Sequence, residues 1–261
     1  MHLTRILFKT RSVRNELIEM QKNSQKSMSI SEFLLWLYKE RNFSILDGLR
    51  NFRKKRYQNS IDAVNKFFES DLNKLGPDLH AATYTLKMGG KCRLHGSSKW
   101  LFLGNEKIEN ILPSQRIEDF YVEGIDLSKT VIKYDGISNI ETCSSLKTLV
   151  FKDCPFADDW LLSRISHAFS DTLEYLDISN CQNFTDNGLL TLGYLRNLKL
   201  LKMEKLNNAK NKEYISILLE ENLENVVIEG ANHLSSDALK SIEQKLIVEE
   251  MELRKIIESN K

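Results

Sequence analysis

The chain has 261 residues, with 41% apolar and 28% charged side chains and a formal net charge of +1. Such a composition is that of an ordinary soluble protein, long enough for one large domain or two small ones, and it sets up no global field for nucleic acid or an acidic substrate. Three prolines and 11 glycines argue against long disordered linkers, and no apolar run approaches the roughly 20 residues that span a bilayer, so membrane contact is expected to be at most peripheral.

The first 15 residues carry Arg5, Lys9, Arg11 and Arg14, with no acid before Glu16. On a helical wheel Leu3, Ile6 and Leu7 share one side with Arg5 and Lys9 opposite, while Arg11 and Arg14 return toward the apolar side. Two readings stay open for residues 1–30. One is a mitochondrial transit segment, which is amphipathic, basic and free of acids. The other is an ordinary basic helix. Residues 31–119 hold no repeat and read as a helical capping region. Phe33, Leu34, Leu37 and Tyr38 mark an amphipathic helix over residues 31–41. Arg50 and the run Arg53-Lys54-Lys55-Arg56, beside Phe52 and Tyr57, read as a solvated helix face or as a contact for anionic lipid or an acidic partner. Ser60 is the expected N-cap of a helix carrying Ile61, Val64, Phe67, Phe68 and Leu72. Asp78, after Gly76-Pro77, is the expected cap of a helix through Leu86 that stops at Gly89-Gly90. Residues 91–94 and 100–103 read as short strands around a turn at Gly96.

From residue 120 to 234 the chain repeats. Leu176, Ile178 and Cys181 define a frame that recurs as Leu149, Phe151, Cys154 and as Leu201, Met203, Leu206. It recurs again as Val226, Ile228, Ala231 and, more weakly, as Ile125, Leu127, Thr130. Successive units are offset by 24, 27, 25 and 25 residues, within the leucine-rich-repeat range. Apolar alternation makes each frame a short strand with one buried face, and a small thiol at the turn packs beneath the next rung. Thr185-Asp186-Asn187-Gly188 begins a return helix with Leu189, Leu192 and Leu195 inward; Asp158-Asp159 begins another with Trp160, Leu161, Leu162 and Ile165. The fold expected is α/β, a short leucine-rich-repeat solenoid of about five units behind a helical N-terminal region. Residues 235–261, with Leu239, Ile242, Leu246, Leu253 and Ile256, read as a C-terminal helix that caps the open end.

Chemistry is sparse. Cys92, Cys143, Cys154 and Cys181 form no CxxC pair and no Cys/His cluster of zinc-finger spacing, and read as reduced thiols. The five histidines are scattered, and there is no HExxH, GxSxG, P-loop or GxGxxG. No cofactor, metal or catalytic residue is expected; Asp158 and Asp159 read as acids at a helix N-terminus. Function in a solenoid then falls to the residues that alternate with the core ladder and face outward: Thr148, Val150 and Lys152; Tyr175, Asp177 and Ser179; Leu200, Lys202 and Glu204; Asn225, Val227 and Glu229. Of these Val150, Lys152, Tyr175, Asp177, Leu200, Lys202 and Glu204 are the expected protein-binding strip, a mixed and partly apolar surface better suited to a protein than to a phosphate backbone.

Several strings resemble one family. They are Ile132-Lys-Tyr-Asp-Gly-Ile-Ser-Asn-Ile140, Cys154-Pro-Phe-Ala-Asp-Asp-Trp160 with Leu162-Ser-Arg164, and Gly76-Pro-Asp78 followed by Gly89-Gly90, His95-Gly96 and Trp100. The family is that of distal membrane-arm assembly complex protein 2, also called ATP synthase subunit s-like; coupling factor B of mitochondrial ATP synthase shares the Gly-Pro-Asp, His-Gly and Trp elements. The Tyr-Asp-Gly and Asp-Asp-Trp segments favour the first. This resemblance, over about residues 30–232, implies a non-enzymatic protein on the matrix side of the mitochondrial inner membrane. It would bind complex I membrane-arm subunits or assembly factors during assembly of the distal arm. The alternatives are a peripheral, factor B-like component of ATP synthase and an F-box-type ubiquitin-ligase adaptor. The Leu-Pro start of an F-box is absent, since the only prolines are Pro77, Pro113 and Pro155.

Overall fold

The computed structural model describes residues 45–231, so the segments expected as a transit sequence (1–30), a helix over residues 31–41 and a C-terminal helix (235–261) lie outside the described residues. The chain divides into two compact units, Met1–Ser60 and Ile61–Lys261. Helix α1 (Ile45–Val64) supplies the described part of the first unit and the start of the second. In the first unit Leu49, Phe52, Tyr57 and every basic residue of the 50–56 run are exposed. Ser60 is not an N-cap: it lies inside α1, its hydroxyl donating to the Tyr57 carbonyl at 2.7 Å. The break expected at Ser60 comes at Asn65, whose buried amide donates to the Ile61 and Val131 carbonyls at 2.9 and 2.8 Å while its oxygen accepts from the Lys133 N–H at 2.7 Å.

In the second unit α2 (Glu69–Leu75) packs on α3 (Pro77–Lys87), and α3 packs against β1 (Lys91–Leu94), which forms a hairpin with β2 (Trp100–Phe102). Phe67 and Phe68 precede α2 and are exposed, so they do not continue the helix of Ile61 and Val64. Asp78 is not a cap either. It is buried, and its carboxylate accepts the Val122 N–H at 2.9 Å, tying α3 to β3 (Val122–Asp126). Burial raises its pKa despite that bond.

Among the described residues the strands form one seven-stranded sheet in the order β2-β1-β3-β4-β5-β6-β7, with β4 (Thr148–Val150), β5 (Tyr175–Asp177), β6 (Leu200–Lys202) and β7 (Val227–Glu229). The β2-β1-β3 pairings are antiparallel and those from β3 to β7 parallel. Between the parallel strands the chain returns through the 3-10 helix Tyr134–Asn139, then α5 (Asp159–Ala168), then α6 (Asp186–Leu190) with the 3-10 helix Thr191–Tyr194, and finally α7 (Lys212–Asn222). A four-residue helix, α4 (Ile108–Ile111), lies between β2 and β3. The architecture is mixed α/β.

Three buried ladders cross the strand units. Cys92, Ile125, Leu149, Leu176 and Leu201 are completely buried in the first, as are Leu127, Phe151, Ile178 and Met203 in the second. Each fully buried chain of this size is worth roughly 1.5–3 kcal/mol of transfer free energy. The third rung is Thr130, Cys154, Cys181 and Leu206, all buried. The Thr130 hydroxyl and Cys154 thiol both donate to the Leu127 carbonyl, at 2.7 and 3.1 Å, and the Cys181 thiol donates to the Phe151 carbonyl at 3.0 Å. Free thiols thus pack as small buried donors. One residue before each rung the backbone turns left-handed: Lys129 (φ 61°), Asp153 (60°), Asn180 (62°) and Lys205 (52°). The last unit departs from the expected frame, because Ile228 and not Val226 stands opposite Leu201. Strand pairing slips by two residues there, which preserves the facing of every side chain.

Candidate protein interface

The cross-strand register defines the sheet's outer face. One row runs Trp100, Arg93, Gly124, Thr148, Tyr175, Leu200, Val227; the other runs Phe102, Lys91, Asp126, Val150, Asp177, Lys202, Glu229. The core ladder lies between the two rows and points the opposite way, as period-two alternation requires. The structure therefore brings Val150, Tyr175, Leu200 and Lys202 onto adjacent positions of one surface, all half-buried among their neighbours. Lys152 and Glu204 lie just past the strand ends and are exposed. Asn225 stands in neither row because of the slip in the last unit.

Asp177 does not belong to the exposed strip. It is only 8% exposed, because its carboxylate folds back to accept the N–H of Ser179 at 2.9 Å. Ser179 is buried as well, and its hydroxyl accepts the Glu204 N–H at 3.2 Å. Asp126 and Ser128 make the same turn two units earlier, also at 2.9 Å. Aspartate followed two residues later by an N–H that needs an acceptor is a local turn device, and the Asp-x-Ser spacing in both units was the signal for it.

The remaining charges of the second row, which starts at Phe102, pair with one another. Lys202 meets Glu229 at 2.7 Å, a hydrogen bond that raises the Lys202 pKa. Lys91 lies 4.0 Å from Asp126. Burial followed by the Asp177 charge raises the Tyr175 pKa, which keeps the phenol neutral. Charges already paired have little to gain from a partner, so the apolar row carries whatever affinity this face has. Val227 of that row is 58% exposed, and Phe102, at the end of the other row, is 60% exposed.

Sequence reasoning missed the upper end of this face. Trp100 stacks beneath the Arg93 guanidinium, 5.3 Å from ring centroid to Cζ, and Arg93 donates to the Thr148 hydroxyl at 3.2 Å. The indole also crosses Gly124: a Cβ there would lie 2.9 Å from the ring, so only glycine admits it. The Trp100-Leu101-Phe102 alternation signalled a strand but not which sheet face it would extend.

A second set of interactions gathers the strings singled out in the sequence. Asp158 caps α5 by accepting the Leu161 N–H at 3.0 Å, as a helix N-terminal acid does. Asp159 accepts both the N–H and the hydroxyl of Thr185, at 2.8 and 2.5 Å, coupling one return helix to the next. Arg164 of α5 forks onto Glu141 at 2.7 and 2.8 Å, reaches the Ser138 hydroxyl at 2.9 Å and the Tyr134 carbonyl at 3.2 Å, and covers the Tyr134 ring at 4.7 Å. Trp160 is not part of the inward stripe with Leu161, Leu162 and Ile165; it is 73% exposed. On α3, His80 is buried and hydrogen-bonded to Asn139 at 3.1 Å, and burial lowers its pKa. It borders a small apolar cleft with Val64, Phe68, Tyr84 and Met88. Among the described residues no three His, Cys, Asp or Glu side chains converge as metal ligands, and no helix is long and apolar enough to cross a membrane.

Comparison with known proteins gives clear relatives. ATP synthase subunit s, mitochondrial, of Mus musculus is 31% identical over 154 residues, 58% of this chain and 74% of the relative. Its counterpart in Bos taurus is 28% identical over 158 residues, 59% of this chain and 76% of the relative. Distal membrane arm assembly component 2 of Drosophila melanogaster is 29% identical over 206 residues, 79% of this chain and 72% of the relative. No family model matches the chain.

Proposed function

Because the chain belongs to the family of mitochondrial ATP synthase subunit s and distal membrane arm assembly component 2, we propose that it is a mitochondrial protein that binds other proteins during assembly of the distal membrane arm of respiratory complex I. The observation that carries this reading over its rival is extent. Likeness to the assembly component runs over 206 residues, against 154 for subunit s of Mus musculus. We read the repeating strand, turn and helix as leucine-rich repeats, supported by the spacing and the three ladders; the protein works by display on a rigid sheet and not by catalysis. Rigid display lowers the entropic cost of binding, and aromatic residues are the usual anchors. Tyr175 is the anchor we assign, with Val150 and Leu200 beside it and Lys152, Lys202 and Glu204 at the rim. The site faces the matrix side of the inner membrane, and residues 1–30 direct import.

Two experiments test this reading. The pair Tyr175→Ala and Lys202→Glu leaves the core ladder intact, so the melting temperature stays near that of the parent. Cells lacking the protein and given this variant accumulate incomplete complex I on native gels while ATP synthase stays normal. Loss of ATP synthase instead would favour the subunit s reading, to which the 31% identity points. Residues 1–30 fused to a fluorescent reporter should enter mitochondria; a wholly cytosolic signal would refute the import role.

A further inference from the structure

Away from the sheet, the 3-10 helix Tyr134–Asn139 and the N-terminus of α5 enclose an open cleft of about 700 Å³. Three aromatic rings line it, those of Tyr134, Phe156 and Trp160, together with Lys133, Asp135 and Asp158. Two of the rings already carry a cation from this chain. Arg164 covers Tyr134 at 4.7 Å, and Lys133 stands 5.7 Å from the Phe156 centroid while paired with Asp62 at 2.6 Å. The third ring, Trp160, is the most exposed at 73% and 43% being the figure for Tyr134. Indole is also the strongest cation-binding face among side chains. Among the described residues no cation stands over Trp160, and neither Asp135 nor Asp158 has a basic partner. The walls are fixed, because Arg164 makes four hydrogen bonds to Tyr134, Ser138 and Glu141. Asp158 uses one carboxylate oxygen for the Leu161 N–H, which leaves its other oxygen and the Asp135 carboxylate without an ion-pair partner beside an uncovered indole, a combination complementary to one chemistry.

We propose that this cleft docks an arginine-bearing segment of a partner protein, with the guanidinium stacked on Trp160 and its N–H groups directed to the Asp135 and Asp158 carboxylates. Arginine fits better than lysine because its planar fork stacks on a ring and donates in the ring plane at once. The surface is separate from the sheet's outer face, and the two can hold different parts of one partner or two partners.

The test uses the full chain with labelled tryptophan indoles, followed by nuclear magnetic resonance as a capped Ala-Arg-Ala-Arg-Ala peptide is added. Trp160→Phe identifies the Trp160 signal among the three tryptophans. That signal should move saturably with the arginine peptide and stay in place with its citrulline counterpart, which has the same shape without the charge. Asp135→Asn combined with Asp158→Asn should weaken binding at least about fivefold. The melting temperature should hold, because asparagine caps a helix as well as aspartate does. An immobile signal overturns the proposal, as does an equal response to citrulline or to a leucine peptide, which would mark an apolar ligand. Movement with protein concentration alone would assign the cleft to a second copy and overturn it too.

Discussion

Replacing Asp177 by alanine removes the acceptor that the Ser179 N–H uses at 2.9 Å. Ser179 is 5% exposed, so water cannot take over, and the amide is left buried without a partner. Such an orphan costs roughly 1–3 kcal/mol. At about 2–4 °C per kcal/mol for a domain of this size, the melting temperature should fall by about 2–12 °C. Asp177→Asn keeps the oxygen acceptor and should stay within about 1 kcal/mol of the parent. The equivalent change Asp126→Ala should cost less, since Asp126 and Ser128 are both half-buried and water can replace the carboxylate. Leu176→Ala, at a position with no exposure, sets the upper end of the scale at roughly 2–5 kcal/mol. Denaturant and thermal melts of the four variants give the ranking. An Asp177→Ala protein as stable as the parent, with Asp126→Ala equally affected, would refute the idea that burial of the turn sets its cost.

Lys129 holds a left-handed backbone at φ 61° where the next two units place Asp153 and Asn180. Lys129→Asn should therefore stabilise the protein by about 0.5–1 kcal/mol in denaturant titrations. Gly136 has no space for a side chain, since a Cβ would collide with the Asn65 amide oxygen, the Tyr84 hydroxyl and Ile132; Gly136→Ala should cost roughly 1–3 kcal/mol by overpacking, read as a lower denaturant midpoint. His80 is held neutral, its folded pKa below the ordinary value of 6.5 because of burial. Its contribution is thus complete above about pH 6.5 and is lost as pH falls toward the lower folded value. His80→Gln should flatten the fall in melting temperature between pH 7.5 and 5.

Much of this architecture is written locally. Alternation at Leu149, Leu176 and Leu201, the small thiols at Cys154 and Cys181, and the return stripes Leu189-Leu192-Leu195 each depend only on neighbours within one unit. Periodicity alone was enough to read them. So was the alternation of outward residues, because the strand period is two. Tertiary packing decided the rest. Asp78 looks like a cap in sequence, but β3 offers it a buried N–H that a capping role would leave unpaired. Asp177 alternates outward with Tyr175, but the turn after it needs an acceptor more than the surface needs a charge. Ser60 precedes an apolar run, yet the helix continues through it because the chain can stop only where Asn65 finds three backbone partners. The slip that puts Ile228 opposite Leu201 depends on the length of the preceding return segment, which no single frame encodes. Trp100 and Trp160 were visible as residues, but whether an aromatic ring is core or surface depends on what the neighbouring units leave uncovered. Sequence spacing sets which way a side chain points from its own strand or helix, and only the packed neighbours determine what it meets there.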